Sequence, residues 1–104
     1  MSKLPKHFTD FVETYPAVGK AYSDLGKAVS GAGPLDKKTQ LLIKVGMSIA
    51  SGLEGGTHSN ARKALEAGAS ADELRHTAIL GLTTLGFPGM MKGLAWIEDV
   101  VGGA

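Results

Sequence analysis

The chain has 104 residues, the size of a single domain, and its 11 basic and 10 acidic residues give a formal net charge of +1. These charges are scattered along the chain, which excludes the clustered basic surface that nucleic-acid binding requires. The chain contains no cysteine, so disulfides, iron–sulfur clusters, thiolate zinc sites and cysteine nucleophiles are excluded. Hydrophobic residues make up 43% of the chain, which is typical of a folded core.

Neither a secretory signal nor a membrane span is predicted. Residues 1–7 include no apolar run of the kind that signal peptides carry. The longest uncharged stretch, residues 77–91, is shorter than the roughly 20 residues that a spanning helix needs. We therefore expect one cytoplasmic domain over residues 1–104, with no membrane and no nucleic acid among its partners.

Glycine and proline separate runs of residues that have helical spacing. Pro5 and Pro16 fit the first positions of two helices, which are expected to end near residues 15 and 29. Residues 30–34 follow as a loop rich in glycine. Asp36 is the predicted N-cap of a third helix that ends near residue 51.

The second half of the chain shows three further runs. Gly52 and the pair Gly55-Gly56 predict a break, after which Thr57 caps a short fourth helix ending at residue 68. Ser70 and Glu73 predict a capping box for a fifth helix that ends near residue 85. Residues 86–88 then stop this helix and begin a sixth, which ends before residues 102–103. No stretch shows sustained β alternation, so an all-α fold of about six helices is predicted.

Two features predict a homo-oligomer. Residues 77–85 are apolar or small on every side of the predicted fifth helix, so other helices should surround it. A chain of this length buries only about 60–70% of its unfolded surface, so neighbouring subunits are expected to contribute. Glycines inside predicted helices also indicate close helix packing, although a tolerated surface glycine is as good an explanation at any one of them. They are Gly19, Gly26, Gly46, Gly81 and Gly93.

Residues 52–64, which join the predicted third helix to the fourth, include Glu54, His58 and Asn60. A carboxylate four residues before an imidazole can orient it as a general base when both are on one helix. The pair Gly55-Gly56 weakens that argument, because it predicts an interruption between them. With Thr57 as the cap, His58 lies in a first turn, where the helix dipole favours the neutral ring. The alternative is that His58 caps backbone groups or packs at a subunit contact.

Metal binding is not predicted. Glu54 and His58 supply two ligands, whereas zinc and non-haem iron sites need three or four. His76 is better explained by a pair with Asp72, one turn earlier. Lys44 is the lone charge in an apolar run, which fits either a buried base or anion anchor, or a side chain that extends to solvent. We expect no metal and no cofactor.

Most of the chain, about residues 16–101, resembles the carboxymuconolactone decarboxylase family, which also contains alkylhydroperoxidase D-like proteins. The resemblance lies in GPLDKKTQLLIKVGMSIASG, in ARKALEAGAS followed by ADEL, and in GFP after a helix of small residues. It implies an all-helical fold that assembles as a trimer or hexamer and acts on or binds a small molecule.

The same resemblance implies that peroxidase chemistry is absent. The two cysteines and the histidine of peroxidase members fall on Leu53, Gly56 and Asn60, and their glutamate falls near Gln40 or Leu41. Members of the decarboxylase branch often keep a histidine where this chain has Asn60. In this chain His58 would take over the role of that histidine.

Two function hypotheses follow. In the first, the protein is a decarboxylase-like lyase for a small organic acid or lactone, with proton transfer by His58 and Glu54 and with Asn60 at the matching family position. Lys44 or Arg62 would then hold a substrate carboxylate. In the second, the fold is a non-enzymatic small-molecule-binding or structural oligomer. Convergence of Glu54 and His58 in a pocket favours the first, and their separation into solvent favours the second.

Overall fold

The computed structural model describes residues 5–102, and in this part of the chain six α-helices and no strand are present. The predicted all-α fold is confirmed. The helices are α1 (Lys6–Thr14), α2 (Pro16–Ser30), α3 (Lys37–Ala50), α4 (Glu54–Glu66), α5 (Ala71–Ile79) and α6 (Leu82–Val101). Residues 1–4, considered above for a signal segment, and residue 103 at the predicted end of the last helix lie outside the described residues. None of the six helices is long and apolar enough to cross a bilayer.

The chain divides into two compact units, the first ending at Leu35 and the second beginning at Asp36. That the chain acts as one domain stays a prediction. In the first unit α1 and α2 pack on each other, and the glycine at position 19 leaves room for Val12, whose side chain would lie 3.1 Å from a Cβ there. Neither helix buries a side chain. Their exposed apolar side chains are Phe8, Phe11, Tyr15, Val18, Tyr22, Leu25 and Val29.

The second unit contains the hydrophobic core. The α3 residues Leu41, Val45 and Ile49 recur at four-residue spacing, so they share one face of the helix, and all three are buried. They pack with buried residues of the other helices, among them Leu74 and Ile97. Helix α3 contacts α4, α5 and α6, and α6 contacts α4 and α5.

Residues singled out in the sequence explain both where α3 begins and how closely α6 packs against α3. The Asp36 carboxylate accepts a hydrogen bond from the Thr39 backbone N–H at 2.9 Å, which confirms the predicted cap. Gly93 of α6 is buried where an added Cβ would lie 2.9 Å from Ile49, so only glycine allows this approach. At Gly26, in contrast, nothing lies within 4 Å, so α1 does not pack closely against α2 there.

Helix α4 begins four residues earlier than predicted, with Leu53 instead of Thr57 at the N-cap position. The break lies at Gly52, which adopts the left-handed conformation (φ 72°), and not at the pair Gly55-Gly56, which is helical. Thr57 is therefore not a cap. It is fully buried, and its hydroxyl donates to the Leu53 carbonyl oxygen at 2.8 Å. A single glycine with positive φ is sufficient to reverse the chain after α3, so the helix can include the pair that follows.

Helix α5 begins as predicted and ends earlier. The Ser70 hydroxyl accepts from the Glu73 N–H at 3.0 Å and the Glu73 carboxylate accepts from the Ser70 N–H at 2.9 Å, which confirms the capping box. The helix ends at Ile79 instead of near residue 85. The predicted stop at residues 86–88 is a kink inside α6, where Gly86 has φ 83° and ψ 171°.

The second unit leaves the segment around residues 77–85 largely uncovered. Its large apolar side chains, Ile79, Leu80, Leu82 and Leu85, are all exposed. The prediction that other helices surround this segment is therefore not met by the helices of this unit.

Candidate functional site

Helices α4 and α6 bring three ionisable side chains together. His58 Nε2 lies 2.9 Å from Asp99 Oδ2. One ligating atom from each of Glu54, His58 and Asp99 lies within 4.8 Å of the other two. The His58 side chain is 24% exposed and that of Asp99 is 55% exposed, so the imidazole is the most protected member. We call these three residues the α4–α6 cluster.

The early start of α4 explains why Glu54 and His58 meet. Both are in one continuous helix, four residues apart, so they lie on the same side one turn from each other. The glycine pair between them does not interrupt that turn. The carboxylate in direct hydrogen-bond contact with the imidazole is that of Asp99, however, and not that of Glu54.

Asp99 was missed by the sequence reasoning. It is separated from His58 by 41 residues, and no local pattern relates the two positions. The sequence indicates only that Asp99 does not lie on the apolar face of α6, which contains Leu94 and Ile97.

The neighbour of Asp99 in sequence fixes the orientation of α6. Arg75 of α5 donates two hydrogen bonds to the Glu98 carboxylate, at 2.7 and 3.2 Å. This guanidinium lowers the pKa of Glu98, and Glu98 in turn raises the pKa of Arg75. Because Glu98 is held by α5, the next residue, Asp99, is turned toward α4.

Arg62 lies one turn beyond His58 in α4, so Glu54, His58 and Arg62 follow one another at four-residue spacing. Its Nε atom is buried and has no hydrogen-bond partner among the described residues. A buried guanidinium nitrogen without a partner is uncommon, because leaving such a donor unpaired costs free energy.

Asn60 points to a different side of α4. Its amide Nδ2 donates to Ser48 Oγ of α3 at 3.1 Å, and Ser48 is buried. An added Cβ at Gly56 would lie 3.3 Å from the same hydroxyl. The positions that the family resemblance assigns to the second cysteine and the histidine of peroxidase members therefore face α3, away from the α4–α6 cluster.

Lys44 is half-buried in α3. Within residues 5–102 it takes part in no ion pair, either with the α4–α6 cluster or elsewhere. Its position is compatible with the predicted extension of the side chain toward solvent.

A groove of about 500 Å³ runs between α3, α5 and α6. Its walls are mostly apolar, with Ile43, Ile49 and Leu85 among them, and no residue of the α4–α6 cluster lines it. Glu54 and His58 therefore converge, as the first hypothesis requires, but not in this groove. Its polar side chains are those of Glu73, His76, Thr77 and Thr84.

The two carboxylates nearest to His76 in α5, those of Glu73 and Asp72, are bound by other residues. The Glu73 carboxylate accepts from the Ser70 backbone N–H and from Lys38, and both interactions lower the pKa of Glu73. The predicted pair of His76 with Asp72 is not formed, because Asp72 accepts from Arg75 at 3.1 Å.

The comparisons with known proteins agree with this architecture. A crystal structure of a candidate carboxymuconolactone decarboxylase from Burkholderia xenovorans LB400 superposes with a TM-score of 0.71. That structure is 24% identical in sequence, and the match covers 97% of this chain and 85% of the other. No curated protein sequence matches. The model of the carboxymuconolactone decarboxylase family matches residues 16–99, which is most of the chain. The chain belongs to the carboxymuconolactone decarboxylase family.

Proposed function

We propose that the protein is a decarboxylase-like lyase that acts on a small organic acid or lactone and transfers a proton at His58. The observation that carries this proposal is the 2.9 Å contact between His58 Nε2 and Asp99 Oδ2, with Glu54 one turn away. Membership of the family supports the reaction class. The chain has no cysteine, so the cysteine route to peroxide reduction is closed.

In this proposal the two ring nitrogens of His58 have different roles. With the Nε2 proton donated to the carboxylate, Nδ1 is the nitrogen that exchanges a proton with a substrate. Loss of CO₂ breaks a carbon–carbon bond and leaves its electron pair on the substrate. A proton delivered from Nδ1 of the charged ring then forms the new C–H bond, and Asp99 stabilises that charge. Glu54 adds a second negative charge beside the ring.

Arg62 is the proposed anchor for a substrate carboxylate. It follows His58 by one turn, and its buried Nε has no partner in the part of the chain that the structure describes. A guanidinium binds a carboxylate through parallel hydrogen bonds, and rotation of the Arg62 side chain out of its enclosed position would offer this donor to a substrate. Lys44 is a second, weaker candidate for the same task. Asn60, whose amide is bonded to Ser48, holds α4 against α3 in this proposal and does not move protons.

The test replaces His58 with glutamine. With carboxymuconolactone as the probe substrate, CO₂ release should fall about 10²–10⁴-fold, the usual contribution of a general acid–base group. The matched control is His76→Gln, which should keep the wild-type rate because His76 lies in the separate groove. Helix content and melting temperature should stay unchanged in both variants. A His58→Gln protein that melts lower but reacts at the wild-type rate would show that the residue only supports the fold.

The groove between α3, α5 and α6 supports a second candidate function, the binding of an apolar small molecule without chemistry. Gly46 lines this groove, and an added Cβ there would meet only Thr77 Cγ2 at 3.7 Å. Leucine at position 46 should therefore enter the groove and abolish binding of the fluorescent probe anilinonaphthalene sulfonate. Gly26→Leu, at an open position, is the control. Equal probe binding by all three proteins would contradict this function.

A further inference from the structure

We propose that Glu54, His58 and Asp99 form a binding site for one divalent ion of the zinc type. The sequence offered only two ligands in this region, which is why a metal site was not predicted. Asp99 supplies the third, and a protein site with three ligands leaves a fourth position for water. This inference goes beyond the proposed function, and binding of the ion does not depend on it.

The distances fit such an ion. Bonds of about 2.0–2.2 Å from zinc to nitrogen and oxygen place neighbouring ligand atoms of a tetrahedral site about 3.4 Å apart. Here His58 Nε2 and Asp99 Oδ2 are 2.9 Å apart, and all three candidate atoms lie within 4.8 Å. Glu54 and Asp99 are exposed, so small rotations of their carboxylates close the remaining gap.

The charges around the site favour a cation. Five other carboxylates of the described residues accept from a lysine or arginine: Asp10, Asp24, Asp72, Glu73 and Glu98. Within residues 5–102 neither Glu54 nor Asp99 pairs with one, and Arg62 makes no ion pair with either. Two negative charges thus face one imidazole without a counter-ion.

The donor set selects among ions. An imidazole nitrogen suits zinc, cobalt and neighbouring first-row ions, whereas magnesium and calcium prefer sites made of oxygen alone. The ion would replace the proton between His58 and Asp99. The neutral ring would then hold its proton on Nδ1, where it could no longer accept one, so the bound ion would act as an inhibitor of the proposed proton transfer.

Calorimetric titration of the tag-free protein with zinc chloride tests the site. We expect saturable binding of one ion per chain, and Co²⁺ should give the visible absorption bands of a tetrahedral complex. Glu54→Gln, His58→Gln and Asp99→Asn should each weaken binding at least about tenfold. The control variants His76→Gln and Asp24→Asn, which remove a histidine and a carboxylate elsewhere, should bind as the wild type does. Circular dichroism identifies any variant that has not folded.

Two outcomes would overturn the proposal. One is that the titration shows no saturable heat of zinc binding, or that all six proteins bind zinc with equal affinity. The other is binding of Mg²⁺ as tightly as Zn²⁺, which would indicate an unspecific acidic patch. Because no substrate is present, failure here leaves the proposed lyase activity unaffected. Saturable zinc binding by the wild type, together with an unchanged rate of CO₂ release in His58→Gln, would contradict the lyase proposal alone.

Discussion

Glu98 and Asp99 are neighbours in α6 that contact different helices. The Glu98 carboxylate accepts two hydrogen bonds from Arg75 of α5, and the Asp99 carboxylate lies against His58 of α4. Successive residues of a helix point about 100° apart, so one pair can bridge two flanking helices. Removal of Glu98 should therefore affect packing, and removal of Asp99 should affect the chemistry of His58.

The stability provided by Glu98 should depend on pH. Arg75 lowers the pKa of Glu98 in the folded protein, so the folded state favours the charged carboxylate. This stabilisation is present above the ordinary glutamate pKa, about 4.3, and is lost as pH falls through the lower folded-state value. Glu98→Gln should thus lower the melting temperature at neutral pH and make progressively less difference in acid.

Thermal melts of both proteins between neutral pH and pH 3 measure this effect. Glu13→Gln is the control, because Glu13 is exposed and takes part in no ion pair within the described residues. If the difference in melting temperature between the wild type and Glu98→Gln stays constant across this pH range, Arg75 does not act through the charge of the carboxylate.

Helix α4 shows how one glycine among several decides an element's boundary. Gly52 has positive φ and reverses the chain, whereas Gly55 and Gly56 are helical. Glycine in a helix is destabilising by roughly 0.5–1 kcal/mol relative to alanine. Gly55 has open space around it, while at Gly56 an added Cβ would lie 3.3 Å from Ser48 Oγ.

The two glycines should therefore respond differently to alanine. Gly55→Ala should stabilise the protein by roughly 0.5–1 kcal/mol, since it favours the helical first turn and meets no neighbour. Gly56→Ala should stabilise the protein less than this or should destabilise it, because Ser48 and its hydrogen bond with Asn60 must shift. Urea denaturation gives both free energies of unfolding. Destabilisation by Gly55→Ala would mean that this turn is not helical.

Local signals in the sequence predicted most helix boundaries but not where distant residues meet. Asp36 and the pair Ser70 and Glu73 were predicted correctly because a cap needs only residues that are three positions apart. The start of α4 was missed because composition does not say which glycine takes positive φ. The end of α5 was missed for a related reason, since residues 77–85 are equally compatible with a helix that continues.

The candidate site could be predicted only in part. Glu54 and His58 are four residues apart, so a helix sufficed to join them. Asp99 comes from another helix, and its approach to His58 depends on how α6 is rotated by Arg75 and Glu98. That rotation results from packing over many residues, which periodicity does not encode.

At the scale of the whole molecule, apolar side chains remain exposed in both units. Ile79, Leu80, Leu82 and Phe87 are exposed in the second unit, and neither helix of the first buries a side chain. Monomeric proteins seldom leave large contiguous apolar patches open to water. We expect the chain to form a homo-oligomer, either a trimer or a hexamer as the family resemblance implies.

Light scattering measures the mass of the oligomer directly. The mass should be three or six times 10.7 kDa at micromolar concentration. Gly81→Leu should reduce the mass or the stability, because an added Cβ at Gly81 would lie 3.0 Å from the Ala78 carbonyl oxygen and 3.3 Å from Leu85. A monomer of the wild type would contradict the prediction.

The lack of buried side chains in α1 and α2 also affects synthesis on the ribosome. These helices are made before the 69 residues of the second unit, which follow from Asp36 onward. At about 5–20 residues per second, translation of those residues takes roughly 3–14 s. During that interval Phe11, Tyr15 and Tyr22 are exposed on the nascent chain, because α1 and α2 bury no side chain of their own. We therefore expect chaperones to bind α1 and α2 while the residues of the second unit are being made.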